Sequence, residues 1–221
     1  MRRASLACVA ALLCASAALG QSGGAGQTPV AVPALPAPPL TATAQAIYAD
    51  ARPRLLQIRT LVQETGSQSS IGSGFVVGAD GFAMTNYHVV SQYLLEPAAY
   101  RLDYTAPDGS HGPLRVHAID VANDLAVLRL DRGGWPYFEF DLRAVGGTLP
   151  KGERLYAMGN PLDLGFTIVE GTYNGLVERS YNERIHFTGA LNPGMSGGPA
   201  VTAGPPLMPG LSAPVKWMRS L

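Results

Sequence analysis

Cysteine is nearly absent from this 221-residue chain: there are two, Cys8 and Cys14, and both lie in the apolar N-terminal segment. Once that segment is removed no thiol remains, which excludes a disulfide framework, a cysteine nucleophile and thiolate metal sites. Charge is sparse too, at 14% of residues, and sixteen basic residues balance sixteen acidic ones. Loss of Arg2 and Arg3 with the leader tips the balance slightly negative, and no basic tract points to a nucleic acid or a membrane surface. Histidine is limited to His88, His111, His117 and His186. No two of them have a metal-site spacing, and His111 and His117 are six apart on a strand or loop, so no metal site is expected.

The one long uncharged apolar stretch, Leu6 to Leu19, follows the positive pair Arg2-Arg3 and ends at the small residues Ala18 and Gly20. This is the pattern of a secretory signal peptide over 1–20, cleaved after Gly20, and its apolar core is too short to be a comfortable membrane span. The expected product is a secreted, periplasmic chain with no membrane anchor after signal removal. Residues 21–40 are rich in Gly, Ala and Pro without an apolar period, which predicts a disordered or polyproline-like linker.

Beyond it, a short helix is expected from Thr41 to Arg52, with Thr41 or Thr43 as N-cap and Pro53 as the stop. The period then changes to two: Leu56, Ile58, Thr60 and Val62 alternate with their neighbours, as in a half-buried strand. Gly74–Val77, the turn Gly78-Ala79-Asp80-Gly81 and Phe82–Asn86 read as a hairpin that delivers His88 at its end. Val89 to Leu95 suits one or two helical turns. Tyr100, Leu102 and Tyr104 alternate, Pro107-Asp108-Gly109 turns the chain, Leu114, Val116 and Ala118 alternate back, and Asp124 precedes the strand Leu125–Leu130. Together these predict an all-β fold with one antiparallel barrel here and a second starting near Leu149, after a linker through Gly133-Gly134 and Gly146-Gly147.

Ser196 lies in Gly194-Met195-Ser196-Gly197-Gly198-Pro199, preceded by Tyr87-His88 and by Asn123-Asp124-Leu125. A serine hydroxyl is a weak nucleophile and needs a base within hydrogen-bond reach plus a third group that fixes the base's tautomer. His88, Asp124 and Ser196 supply the three types. The flanking glycines let backbone N–H groups, those of Gly194 and Ser196, approach a developing oxyanion without side chains in the way. Taken alone, a Gly-Ser-Gly-Gly-Pro string reads equally well as a plain turn. Because no histidine follows Ser196, the G-x-S-x-G elbow of α/β-hydrolases fails, and an Asp-His-Ser order through Asp50 or Asp80 lacks the required strands and long helices. The order His, Asp, Ser, with spacings of 36 and 72 residues, is that of a chymotrypsin-type double barrel. Asp120 and Asp131 compete with Asp124, and Ser73 and Ser180 with Ser196, but neither of those serines has a comparable glycine frame.

These segments resemble the trypsin-like serine proteases, in particular the HtrA/Deg group of bacterial envelope proteases, over about residues 45–202. Gly72-Ser73-Gly74-Phe75-Val76-Val77, Ala157-Met158-Gly159-Asn160-Pro161 and Ala190-Leu191-Asn192-Pro193-Gly194 add to the likeness. The resemblance implies a protease domain over 41–203 with two antiparallel β-barrels. It implies a serine endopeptidase that uses no cofactor, with polypeptide substrates, unfolded envelope proteins among them, and it allows an oligomer. It assigns His88, Asp124 and Ser196 as catalytic, Gly194 and Ser196 as the oxyanion hole, and Leu191 and Thr188 as the near wall of the substrate pocket.

Two departures stand against that pattern. Met195 replaces the usual Asp or Asn, so activation by a salt bridge to a new N-terminus is not expected. After Thr202 the prolines 205, 206, 209 and 214 crowd an atypical tail, 204–221, which cannot form a central strand. The sequence thus predicts a truncated or disrupted member whose second barrel is incomplete, the alternative to an active protease being a catalytically impaired pseudoprotease or peptide-binding fragment.

Overall fold

The computed structural model describes residues 42–139, 149–177, 185–202 and 215–217. The predicted signal peptide, the linker 21–40, Thr41, Ser180, Gly146-Gly147 and most of the tail lie outside the described residues. Helix α1 (Ala42–Ala51) is followed by a 3-10 turn, Arg52–Arg54, whose Pro53 ends the α-helix as expected. Strands β1 (Leu55–Val62), β2 (Gln68–Val76) and β3 (Phe82–Thr85), helix α2 (Tyr87–Leu95), then β4 (Tyr100–Thr105), β5 (His111–Asp120) and β6 (Leu125–Leu130) come next. The six strands close an antiparallel barrel in the order β1-β2-β3-β6-β5-β4.

Period-two patterning accounts for the barrel. Along β6 every second residue is buried, Ala126, Leu128 and Leu130 facing the same core as Leu56, Ile58, Leu102 and Tyr104. The turn between β2 and β3 closes with Gly81 N–H donating to Gly78 C=O at 2.9 Å. Gly81 has φ +92°, and a Cβ there would lie 2.5 Å from the Arg132 carbonyl, so only glycine fits.

The sequence predicted a half-buried β1, and the structure differs. Leu55, Leu56, Gln57 and Ile58 are all buried, because β1 has no solvent face over its first half. Leu56 and Ile58 point into the barrel, whereas Leu55 joins Phe75, Phe138, Ala44 and Ala51 against Tyr156, Met158 and Val201 of the second lobe. At about 1.5–3 kcal/mol for each large apolar side chain removed from water, this seam is a major part of what docks the lobes.

The second lobe contains β7 (Arg154–Gly159), β8 (Thr167–Leu176), β9 (Ile185–Thr188), β10 (Pro199–Thr202) and β11 (Val215–Trp217). Among the described residues these form an open five-stranded sheet, β11-β10-β7-β8-β9, not a second closed barrel. The proline-rich tail returns as β11, pairing Val215 with Val201 and Trp217 with Pro199. Among the described residues this strand lies at the sheet edge, and its three residues all follow Pro214 and carry N–H donors.

A polar clasp also spans the lobes. Gln57, buried in β1, donates to the Asp163 carboxylate at 2.7 Å, and the Arg59 guanidinium approaches it at 3.0 Å. The Gln57 hydrogen bond, with the Arg59 charge behind it, outweighs partial desolvation and holds the Asp163 carboxyl below its ordinary value of 3.8. A depressed folded pKa stabilises the fold fully above the unfolded value and is lost as pH falls through the folded one. Asp163→Asn, which keeps the tolerated left-handed backbone at φ +58°, is therefore expected to lower the neutral-pH melting temperature by about 1–3 °C, the size a half-exposed charge allows after solvent screening. The difference should vanish in melts recorded as pH falls progressively below 3.8; a constant offset across pH would contradict the assignment.

Candidate active site

His88 is the second residue of α2, two positions after the extended Asn86 that precedes the helix. Asp124 ends a turn before β6 with φ +51°, a left-handed backbone that Asp tolerates better than most residues. One carboxylate oxygen of Asp124 accepts the His88 backbone N–H at 2.9 Å, and the His88 ring Nδ1 lies 2.9 and 3.1 Å from the two oxygens. The Asp124 carbonyl accepts from Asn86 Nδ2 at 2.9 Å and from Tyr87 N–H at 3.1 Å. Four hydrogen bonds thus tie β6 to the segment 86–88. Asp120 and Asp131 are occupied elsewhere: Asp120 accepts from Asn123 N and Nδ2, and Asp131 from the Tyr104 hydroxyl.

Ser196 sits in the turn between β9 and β10. Its backbone carbonyl accepts from Ser73 N–H at 2.8 Å. Gly197 has φ +86°, and a Cβ on it would come within 2.2 Å of the Ser73 carbonyl and 2.3 Å of Thr85 Oγ1. The serine turn is therefore laid directly on β2 and on the end of β3 that leads into His88. Among the described residues Ser196 Oγ makes no hydrogen bond, to His88 or to any other group, and the N–H groups of Gly194 and Ser196 have no acceptor. Met195 is buried with Leu155, Ala157, Tyr173, Phe187 and Ala200, an apolar seat in place of the usual carboxylate.

Leu191 is partly buried against this same second-lobe cluster, and Thr188 is exposed on β9 with its Oγ1 accepting from Asn174 Nδ2 at 2.7 Å. His111, His117 and His186 are all exposed, and His117 packs edge-on against Phe82. Among the described residues no three His, Cys, Asp or Glu side chains are grouped to hold a metal. In the sequence Ser73 was weighed as a rival nucleophile and lay in Gly72–Val77, a segment that carries the family resemblance. In the structure it is buried, its hydroxyl donating to the Gly194 carbonyl at 2.6 Å and accepting from Asn160 N–H at 2.9 Å. The glycines on either side of it were the available signal.

The model of the trypsin-like peptidase domain matches residues 72–204. The chain belongs to the trypsin-like peptidase family. Among its curated relatives, the putative serine protease HhoB of Synechocystis sp. is 33% identical over 144 residues, covering 62% of this chain and 32% of the relative. A probable periplasmic serine endoprotease, DegP-like, of Chlamydia pneumoniae is 33% identical over 133 residues, covering 58% of this chain and 25% of that protein. This trypsin-like chain thus spans a third or less of these relatives' length. In fold it is similar to the crystal structure of Deg5, with TM-score 0.59 and 24% identity over 73% of this chain and 79% of that one. The serine endoprotease from Yersinia pestis gives TM-score 0.60 and 22% identity over 72% and 53% of the two chains.

The crowding at Gly197 makes a direct prediction. Gly197→Ala adds left-handed strain to a clash with backbone and is expected to cost more than about 3 kcal/mol. Gly134→Ala, at φ +80° with nothing within 4 Å of the new Cβ, should cost only about 1–2 kcal/mol. Denaturant melts of the two variants would test the contrast, and equal losses would refute it.

Proposed function

We propose that this protein is a serine endopeptidase in which Ser196 is the nucleophile, His88 the general base and Asp124 the group that orients the imidazole. The observation carrying this reading is that a single carboxylate, Asp124, engages both the backbone N–H and the ring Nδ1 of His88. With Nδ1–H donating to Asp124, Nε2 keeps its lone pair and is the tautomer that accepts a proton. Ser196 Oγ bonds to the scissile carbonyl carbon as its proton passes to Nε2, and the carbonyl's π pair moves onto oxygen. That oxyanion is received by the Gly194 and Ser196 N–H groups. Its collapse breaks the C–N bond, and the amine leaves with the proton from His88. Water then repeats the sequence on the acyl-enzyme, releasing the acid and restoring Ser196. No step uses a cofactor.

The missing hydrogen bond between Ser196 and His88 does not exclude this role, since such bonds are often long before substrate binds. It favours, as the one competing reading, a peptide-binding pseudoprotease. Leu191 and Thr188 both precede the serine turn in sequence and are proposed as the near wall of the substrate site. The leader pattern over 1–20, with relatives named periplasmic endoproteases, supports a periplasmic location and envelope polypeptides, unfolded ones included, as substrates; this reading allows an oligomer.

A fluorophosphonate probe on the purified protein separates the two readings. Stoichiometric labelling, lost in Ser196→Ala, is expected, with turnover falling on the order of 10⁶-fold in Ser196→Ala or His88→Ala. Asp124→Asn should fold but lose about 10⁴-fold in kcat by favouring the wrong tautomer, with Asp120→Asn near wild type. Full peptidase activity in Ser196→Ala would end the proposal, whereas peptide binding without labelling would favour the competing one.

A further inference from the structure

We infer that Ser73 is a positioning residue that holds the oxyanion-receiving turn in its working shape. This inference rests on the serine-peptidase reading above. A trans peptide plane points its C=O and N–H in opposite directions, so fixing one carbonyl aims the N–H of the next residue. Three consecutive carbonyls of the serine turn are fixed. The Gly194 carbonyl accepts from Ser73 Oγ at 2.6 Å, the Met195 carbonyl from Gly198 N–H at 3.0 Å, and the Ser196 carbonyl from Ser73 N–H at 2.8 Å. Two of the three anchors belong to Ser73.

The consequence falls on the N–H groups. With the Met195 carbonyl turned towards Gly198, the Ser196 N–H of the same peptide plane points the other way. The plane joining Gly194 to Met195 is pinned at both ends, its N–H donating to the Asn192 carbonyl at 3.2 Å. Rotating that plane would reorient the neighbouring Gly194 N–H and would also strand the Gly194 carbonyl and the Ser73 hydroxyl in a buried site. A buried carbonyl or hydroxyl without a partner is strongly disfavoured.

Ser73 is itself over-determined. Its hydroxyl accepts from Asn160 N–H at 2.9 Å, at the end of β7, and its carbonyl accepts from Thr85 Oγ1 at 2.7 Å, three residues before His88. One buried residue thus joins the serine turn, the segment that carries the histidine and the second lobe. The close packing needs glycine on both sides, since a Cβ on Gly72 would approach the Ser196 carbonyl at 3.2 Å and one on Gly74 the Met84 carbonyl at 2.8 Å. A side chain with no hydroxyl at position 73 keeps one of its two anchors on the turn and loses the other.

The test is the second-order rate of fluorophosphonate labelling, in which the phosphonyl oxygen takes the oxyanion's place, together with steady-state kinetics on a small peptide ester. Ser73→Ala is expected to slow labelling and lower kcat by about 10²-fold, as for loss or misplacement of one oxyanion donor. KM should stay within about twofold, as for an interaction made only in the transition state. The midpoint of the acidic limb of the kcat profile should not move, because the His88–Asp124 pair is untouched. A folded Ser73→Ala protein that labels at the wild-type rate overturns the inference alone, as does a loss accompanied by a shifted pH midpoint, which would place the damage at the histidine. Where Ser73→Ala does not fold, Thr85→Val decides. It removes the hydroxyl that steadies the Ser73 carbonyl with little change of shape and should lower kcat several-fold at constant KM; an unchanged kcat overturns the inference. Wild-type protein that never labels overturns the peptidase reading and this inference together.

Discussion

The hydrogen bond from Ser73 N–H to the Ser196 carbonyl, 2.8 Å long, sets how closely the serine turn lies on the first barrel. At that separation there is no room for a side chain between the two backbones. Gly197 is consequently in left-handed conformation against the Ser73 carbonyl, and Gly198 lies so that a Cβ would meet the Met158 carbonyl at 1.9 Å. The turn is clamped between β2 on one side and β7 on the other. Its position is therefore a property of how the two lobes dock, not of the loop's own sequence.

Docking has an apolar and a polar part that do different jobs. The apolar seam of Leu55, Phe75, Phe138, Tyr156, Met158 and Val201 provides most of the free energy, since burial of such side chains is non-directional and scales with area. It does not by itself select one register between the lobes. Directional bonds do that: Ser73 Oγ with Asn160 N–H, and Gln57 with Asp163. Tyr48 of α1 adds a third, its hydroxyl donating to the Phe166 carbonyl at 2.6 Å. Each is worth little net, but each is costly to leave unmade in a buried place, so together they penalise slippage of a few tenths of an ångström along an otherwise greasy seam.

These considerations explain what could be read in the sequence. Strands β4 and β6 were legible because their walls alternate, and Gly81 and Gly109 mark turns with positive φ; β2 was read only from Gly74 although it begins at Gln68, because its burial does not alternate. The first half of β1 was misjudged because Leu55 and Gln57 face a second lobe rather than water, and a period of two cannot distinguish those surroundings. The tail's prolines argued against a central strand and could not reveal that Val215–Trp217, beyond the last of them, pair at the edge of the described sheet. His88 and Asp124 could be paired from chain order and from the apolar strand that follows the aspartate. The contacts of Ser73 could not be read, because its hydroxyl bonds a carbonyl 121 residues away, and the glycines on either side of it do not say which backbone approaches.

The aspartate shows how local strain is absorbed by the same geometry. A left-handed residue other than glycine costs about 1 kcal/mol or more, and Asp124 at φ +51° has that cost. In an extended conformation its carbonyl and its carboxylate could not both turn towards the start of α2. As it stands, the carbonyl meets Asn86 Nδ2 and Tyr87 N–H while the carboxylate meets His88 N–H and Nδ1. Three of these four contacts are to groups that a helix start leaves without internal partners or to the side chain just before it, so the aspartate acts as the cap that Asn86 does not provide. The strained backbone is thus offset by capping, and the orientation of the imidazole comes with it. Histidine placement and helix initiation are one structural event here, which ties the tautomer of His88 to the integrity of α2 and, through Thr85 and Ser73, to the turn that carries Ser196.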